Sequence, residues 1–362
     1  MKFKSNWLRT VVAAAFLTFL PVRAFAAPAP EFIPAKWTLA VIGDQQWAVT
    51  KKTGNDYLVQ FTSQADSLIA NARPRNLRMV VQVGDIVEIA REQTEWDRAS
   101  SVMAKFDTAT NADGGTGIPW SVCYGNHEMI GAVLKPKIDL AGPEPSATYR
   151  RYFGSAQGGR HRYANQPEFK GVSGNDLNTW HIIKSSNSPR ARSYLMLNLE
   201  TDVPGNKPGT NFDTIRWALG VIAANPGLPT IITTHIFEGS KHGPPKSAYL
   251  VGFGHNSQLE IFDKLIKNNS QIFMILSGHT NEDSHQIKQN TAGQPVLQMV
   301  TDYSKWVGRC GDGFFRLVEI DEGAGKVRVK TYSAYLDQYR AGANSDFEID
   351  LDIVGRLVRP RD

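Results

Sequence analysis

The chain predicts an α/β fold, in which helices pack against a sheet. Two patterns carry that expectation: short runs of buried-strand character alternate with stretches of helical period, and several of those strands give way directly to a polar segment. The composition of the 362 residues is that of a soluble globular protein, with no low-complexity tract, heptad pattern, internal repeat or Pro/Ser linker. One domain over 27–362 is the expected organisation.

In chain order, Trp37 to Ile42 reads as the first strand and ends at Gly43-Asp44-Gln45-Gln46. A helix from about Tyr57 to Ala72 follows, with Leu58, Phe61, Ala65, Leu68 and Ile69 on one face. Leu77 to Val83 then runs into Gly84-Asp85. A helix around Trp96 to Phe106 leads to the strand Pro119 to Tyr124 and the turn Gly125-Asn126-His127-Glu128. Between 131 and 178 the periodicity fails in a segment rich in Pro, Gly, Tyr and Arg, which reads either as a binding lid or as a surface excursion. Strands resume at Thr179 to Lys184 and Ser193 to Leu199. A helix with Trp217 and Leu219 precedes Thr230 to Thr233, which ends at Thr234-His235. Another helix, around Leu259 to Ile266, precedes Ile272 to Leu276 and Gly278-His279-Thr280-Asn281. Val296 to Thr301, Gly313 to Ile320 and Lys326 to Tyr332 read as an antiparallel meander, its last two strands joined at Asp321-Glu322-Gly323.

The amino terminus has the pattern of an export signal. Lys2, Lys4 and Arg9 precede an apolar stretch from Val11 to Val22, and Ala24-Phe25-Ala26 offers a small-x-small cleavage site. The apolar run falls short of the about 20 residues that span a bilayer. Cleavage after Ala26 removes Lys2, Lys4, Arg9 and Arg23, so the formal charge of +5 falls to about +1 (5 − 4). A periplasmic or secreted protein is expected, with no electrostatic case for a nucleic-acid or membrane partner. Cys123 and Cys310 are the only cysteines. An oxidising compartment permits their disulfide, while the apolar strand around Cys123 equally suits a buried thiol.

Open α/β sheets place ligands at the carboxyl ends of their strands, so the polar segments are expected to meet in one crevice. Together they supply carboxylates, a carboxamide oxygen and imidazoles, a donor set for two divalent cations. Asp85 is the natural oxygen for both cations to share, with Asp44 on one of them. Asn126, His235 and His279 would hold the other. His127, one residue past Asn126, is free to give a proton to a leaving group. Two carboxylates against two dications leave a net positive centre that suits a phosphate oxyanion.

In combination these segments resemble the signature of calcineurin-like metallophosphoesterases, which runs D-x-H, G-D, G-N-H-[ED], H, G-H-x-H. The resemblance spans Asp44 to Asn281. It implies a four-layer α/β/β/α sandwich, a dinuclear site of Mn, Mg, Fe, Zn or Ca, and hydrolysis of phosphoester bonds. Position by position, Asp85 would bridge, Asp44 would bind the first metal, Asn126, His235 and His279 the second, and His127 would assist the leaving group. Two positions depart from the signature, both on the first metal: Gln46 replaces the D-x-H histidine, and Asn281 replaces the last histidine of G-H-x-H. Carboxamide oxygens are harder and weaker donors than imidazole, so the first site is expected to prefer a hard cation or to bind loosely. The pair also resembles an exported subgroup with Gln in its first motif.

The expected function is therefore exported, metal-dependent hydrolysis of a small phosphoester. A diester is favoured over a monoester because the first site is weakened and no dianion pocket is evident. The alternative is a catalytically weakened protein that binds a metal, phosphate or glycan. Glu282, Asp283 and His285 read as solvated loop residues or as replacement ligands. Trp47 reads as packing or as a stacking platform. His242 and the group Arg150, Arg151, Arg160, His161 and Arg162 read as surface charge or as contacts to an anionic substrate.

Overall fold

The computed structural model describes residues 33–51, 56–129, 146–154, 166–205, 212–237, 255–305 and 310–357. They fall within one compact unit, residues 32–362. The leader at 1–26, His242 and the Arg160–Arg162 group lie outside the described residues.

The first 7-stranded sheet holds β1 (Lys36–Ile42), β2 (Leu77–Gln82), β3 (Trp120–Val122), β11 (Phe314–Asp321), β12 (Lys326–Ser333), β13 (Gln338–Arg340) and β14 (Asp346–Asp350). Its order is β13-β12-β11-β1-β2-β3, and β14 pairs with β12. The second 7-stranded sheet holds β4 (Phe169–Val172), β5 (Thr179–Lys184), β6 (Ser193–Leu199), β7 (Thr230–Thr234), β8 (Ile272–Ser277), β9 (Asp283–Gln289) and β10 (Pro295–Thr301), in the order β4-β5-β6-β7-β8-β10-β9. The helices are α1 (Gln46–Val49), α2 (Leu58–Ala70), α3 (Gln93–Met103), α4 (Lys105–Thr108), α5 (Ala147–Phe153), α6 (Thr214–Ala224) and α7 (Gln258–Ile261), the last continuing as a π turn over Phe262–Ile266.

Alternation along the strands sorts the side chains into layers. Trp37, Leu39 and Val41 of β1 face the other sheet and meet Met196, Ile231, Leu276 and Met299 there. Ala40 and Ile42 face the opposite way, onto Phe61 and Leu68 of α2 and Trp96 and Met103 of α3. On the far side of the second sheet, Leu195, Leu197 and Ile232 pack on Ile215, Ala218 and Ile222 of α6 and on Phe262 and Leu265. Helix, sheet, sheet and helix thus stack in the four layers expected. Each buried aliphatic side chain contributes roughly 1.5–3 kcal/mol to that stacking.

In two places the chain departs from the expected elements. The meander does not form as a unit: β11 and β12 make the antiparallel hairpin, but Val296 to Thr301 belongs to the second sheet, parallel beside β8. The physical reason lies in its burial on both faces, with Leu297 and Met299 between the sheets and Val296 under the outer helices, as an interior parallel strand requires. Secondly, the irregular stretch from 131 to 178 contains α5 and β4. Tyr152 and Phe153 of α5 stack on Trp96, so this part is core rather than a surface excursion. Segments 130–145 and 155–165 lie outside the described residues.

Parallel pairing runs through β1-β2-β3 and through β6-β7-β8-β10. The segments that follow these strands are the ones that carry the polar residues.

Candidate metal centre

Two tight turns aim the central residues. Asp85 follows β2 in a left-handed conformation (φ 52°), after Gly84 at φ 104°. A Cβ at position 84 would lie 2.6 Å from His235 Nδ1, so only glycine lets the β7 imidazole lie against this turn. His279 and Asn281 are also left-handed, at φ 75° and 58°. A Cβ on Gly278 would collide with the Asp44 carboxylate beneath it.

These turns bring together residues from both sheets. Asp85, His235 and His279 each offer a ligand atom, and those atoms lie within 4.8 Å of one another. His235 Nε2 stands 3.0 Å from Asp85 Oδ2 and 3.0 Å from Asn126 Oδ1. Its Nδ1 sits 3.0 Å from the Val83 carbonyl, which orients the ring. Asp44 joins through the backbone, its two oxygens accepting from His279 N at 3.1 and 3.3 Å. All but His279 of these residues are buried.

The electrostatics of the group are strained. Burial opposes ionisation of Asp85, but the charges of His235 and His127 hold its carboxyl well below the usual carboxylate range. Burial likewise works against a charged His235, yet Asp85 outweighs it and pushes the imidazole up to about 9. Burial and the His235 charge pull His279 down to about 4. Asp44 has no such relief: burial, then the facing charges of Asp302 and Asp85, hold it well above the usual range.

Divalent cations suit this set. The donors are buried carboxylates, imidazoles and an amide oxygen. Asp44 sits in a field of carboxylates that a cation would neutralise. The Gln46 Oε1 atom is buried and has no hydrogen-bond partner among the described residues. Asn281 lies in the same turn as His279, but its Oδ1 accepts from Ser304 Oγ at 3.2 Å.

His127 stands at the rim. Its Nε2 is 3.8 Å from Asp85 Oδ2, and its Nδ1 is 2.9 Å from the Glu88 carbonyl. Burial opposes its protonation, but Asp85 and Glu88 together raise its pKa above the usual imidazole value.

Two residues acquire roles that sequence reasoning did not assign. Glu128, fully buried, accepts from the backbone amides of Asp85 (3.0 Å), Ile86 (2.7 Å), Val87 (3.2 Å) and Gly125 (2.6 Å), locking the β2 and β3 turns together. Burial and nearby Asp85 push its carboxyl up to about 7. Asp302 is the polar residue at the end of β10; the strand-end rule that flagged Asp44 and Asp85 applies to it equally.

Several residues weighed as candidates are engaged elsewhere. Asp283 and His285 lie on β9 rather than in a solvated loop. Asp283 pairs with Ser345 and Arg340, and His285 stacks on Phe347 with ring centroids 3.7 Å apart. Arg150 donates to the Asn175 carbonyl, and Arg151 lies over the Tyr152 ring. Trp47 packs against the outer core of the first sheet. Cys123 and Cys310 are both buried and are not joined in a disulfide, and Cys123 Sγ donates to the Leu199 carbonyl at 2.8 Å.

No protein-family model matches the chain. It is 25% identical over 348 residues to the uncharacterized protein YvnB of Bacillus subtilis (strain 168), covering 91% of this chain and 23% of that protein. The chain thus spans under a quarter of the length of that relative. Among solved structures it is similar to the purple acid phosphatase PPD1 from yellow lupin (Lupinus luteus) seeds. The TM-score is 0.51 at 13% identity, over 90% of this chain and 55% of the phosphatase chain. The two share a fold, the sandwich of the metallophosphoesterase type.

Proposed function

We propose that the chain is a metal-dependent phosphoesterase. The observation that carries this reading is the convergence of Asp85, His235 and His279 from three strand ends in two sheets, with ligand atoms within 4.8 Å. The fold shared with a phosphatase supports it. Asn126, His235 and His279 would hold one divalent cation and Asp44 with Gln46 the other, with Asp85 offering its carboxylate to both. Bound there, divalent cations supply Lewis-acid stabilisation to the charge on phosphoryl oxygens.

The protein's own groups handle position and proton. Glu128 fixes the backbone of Asp85 and Gly125, so the Asp85 carboxylate and the Asn126 side chain enter the crevice pre-set. His127, its Nδ1 held at the Glu88 carbonyl and its Nε2 3.8 Å from Asp85, is placed to pass a proton from Nε2 to the leaving oxygen. The oxygen-only donors on the Asp44 side favour a singly charged phosphodiester over a dianionic monoester. The amino-terminal pattern supports export to the periplasm or beyond, with a small phosphoester as substrate.

The test is turnover of chromogenic mono- and diesters by purified protein with added Mn²⁺. Hydrolysis that is faster on the diester is expected. An absence of turnover with every divalent cation would favour a binding protein on the same fold.

A further inference from the structure

We propose that Asp302 holds the first cation together with Asp44, its carboxylate standing in for the imidazoles absent at Gln46 and Asn281. The proposal rests on the two-cation reading above and adds a residue that the motifs do not name.

The geometry comes from one turn. Between β8 and β9, His279 N donates to Asp44 Oδ2 at 3.1 Å, and Asn281 N donates to Asp302 Oδ2 at 2.6 Å. Carboxylates from the ends of β1 and β10 are therefore capped by amides two residues apart on the same left-handed segment. The backbones are equally close, for a Cβ on Gly43 would lie 3.5 Å from Asp302 Cα. The remaining Asp302 oxygen takes Ser304 N at 2.9 Å. A carboxylate oxygen has two lone-pair directions, so these backbone bonds orient Asp302 without exhausting it.

Both carboxylates are buried, at 3% exposure for Asp44 and 1% for Asp302. Neither forms an ion pair with a lysine or arginine among the described residues. Buried charges in proteins are paired or coordinate a metal. An independent sign is Gln46, two residues past Asp44, whose buried Oε1 accepts no hydrogen bond among the described residues. Two carboxylates and a carboxamide make an oxygen-only set, the choice of a hard cation such as Mn²⁺, Mg²⁺ or Ca²⁺.

The experiment counts metal instead of turnover. The full chain is stripped with chelator, refilled with Mn²⁺, and followed by elemental analysis, calorimetric titration and electron paramagnetic resonance. Wild-type protein should take up two Mn²⁺ with a spin-coupled spectrum. Asp302→Asn should keep one and bind the other about 100-fold more weakly, with an uncoupled spectrum. Ser304→Ala, which removes a hydroxyl that bonds both Asn281 and Asp302 but leaves the Asp302 carboxylate in place, should keep both. Two Mn²⁺ bound to Asp302→Asn at wild-type affinity would overturn the proposal, as would a wild type that holds only one. Anomalous diffraction from Mn²⁺-soaked wild-type crystals reads the same point without a variant: the first cation should lie about 2.2 Å from an Asp302 oxygen, and a first cation out of its reach refutes the assignment. The phosphoesterase reading fails separately, in a wild type that holds two Mn²⁺ and hydrolyses no ester. There the metal count still decides Asp302.

Discussion

Beside Asp85 lie two imidazoles and the Asn126 amide; on the turn that carries His279 and Asn281, the carboxylates of Asp44 and Asp302 meet instead, and Gln46 follows Asp44 two residues on. The two sides differ in how the protein balances their charge. His235 carries a proton beside Asp85, so the imidazole side supplies its own counter-charge. Asp44 faces other carboxylates, and only a proton or a cation can relieve it. The imidazole side should therefore stay ordered without metal, while the oxygen side depends on it.

The strongest way to break this comparison is to remove what the two sides share. Asp85→Asn should lower kcat by at least about 10³-fold on either ester, because both cations lose an anionic oxygen. Circular dichroism should remain that of wild type. A rate within tenfold of wild type would take Asp85 out of the centre and dissolve the distinction between sides.

Next in size is the clamp beneath both turns. Glu128→Gln replaces an oxygen pair that accepts four backbone amides with a single acceptor and a donor. Leaving buried amides unpaired should cost about 3 kcal/mol in a urea unfolding titration. Wild-type stability in that variant would show that the turns hold themselves.

The imidazole side can then be read alone through pH. In the metal-free protein His235 titrates at about 9, and a cation must displace that proton to use the nitrogen. The sign follows: affinity for this cation should drop about tenfold for each unit of pH below 9, and level off above it. His235→Asn should weaken the same cation about 100-fold and flatten the slope. A slope that persists in the variant would assign the competing proton elsewhere.

How much of this was legible in the sequence depended on whether a strand could be placed in the right sheet. Asp44, Asp85, Asn126, His235 and His279 were readable because each follows an apolar run whose burial is evident from its residues. Asp302 follows such a run too, but reading Val296 to Thr301 as part of a meander moved its loop away from the crevice. A six-residue apolar stretch does not reveal whether one face or both are covered, and here both are. Strand β9 was hidden for the opposite reason: Ser284, Gln286 and Lys288 give an edge strand a polar face that discourages pairing and reads as loop. Helix α5 owes its place to Tyr149, Tyr152 and Phe153 packing on residues far away in sequence, which local period does not report.

The smallest effect, and the sharpest test of the comparison, is to make the two sides alike. Gln46→His with Asn281→His would put imidazoles where the motif otherwise has them. The Gln46 carbonyl oxygen accepts no hydrogen bond among the described residues, so its replacement breaks none of theirs. At Asn281 the exchange gives up the Ser304 hydroxyl contact, a loss of about 1 kcal/mol. Nitrogen donors favour Zn²⁺ over Mg²⁺, so the double variant should bind Zn²⁺ about tenfold more tightly on this side and lose Mg²⁺ by a similar factor. Competition between the two ions in a calorimeter measures the shift directly. If the preference stays with Mg²⁺, then carboxylates rather than carboxamides set the character of this half, and the variant that changes it must carry the substitution at Asp44 or Asp302.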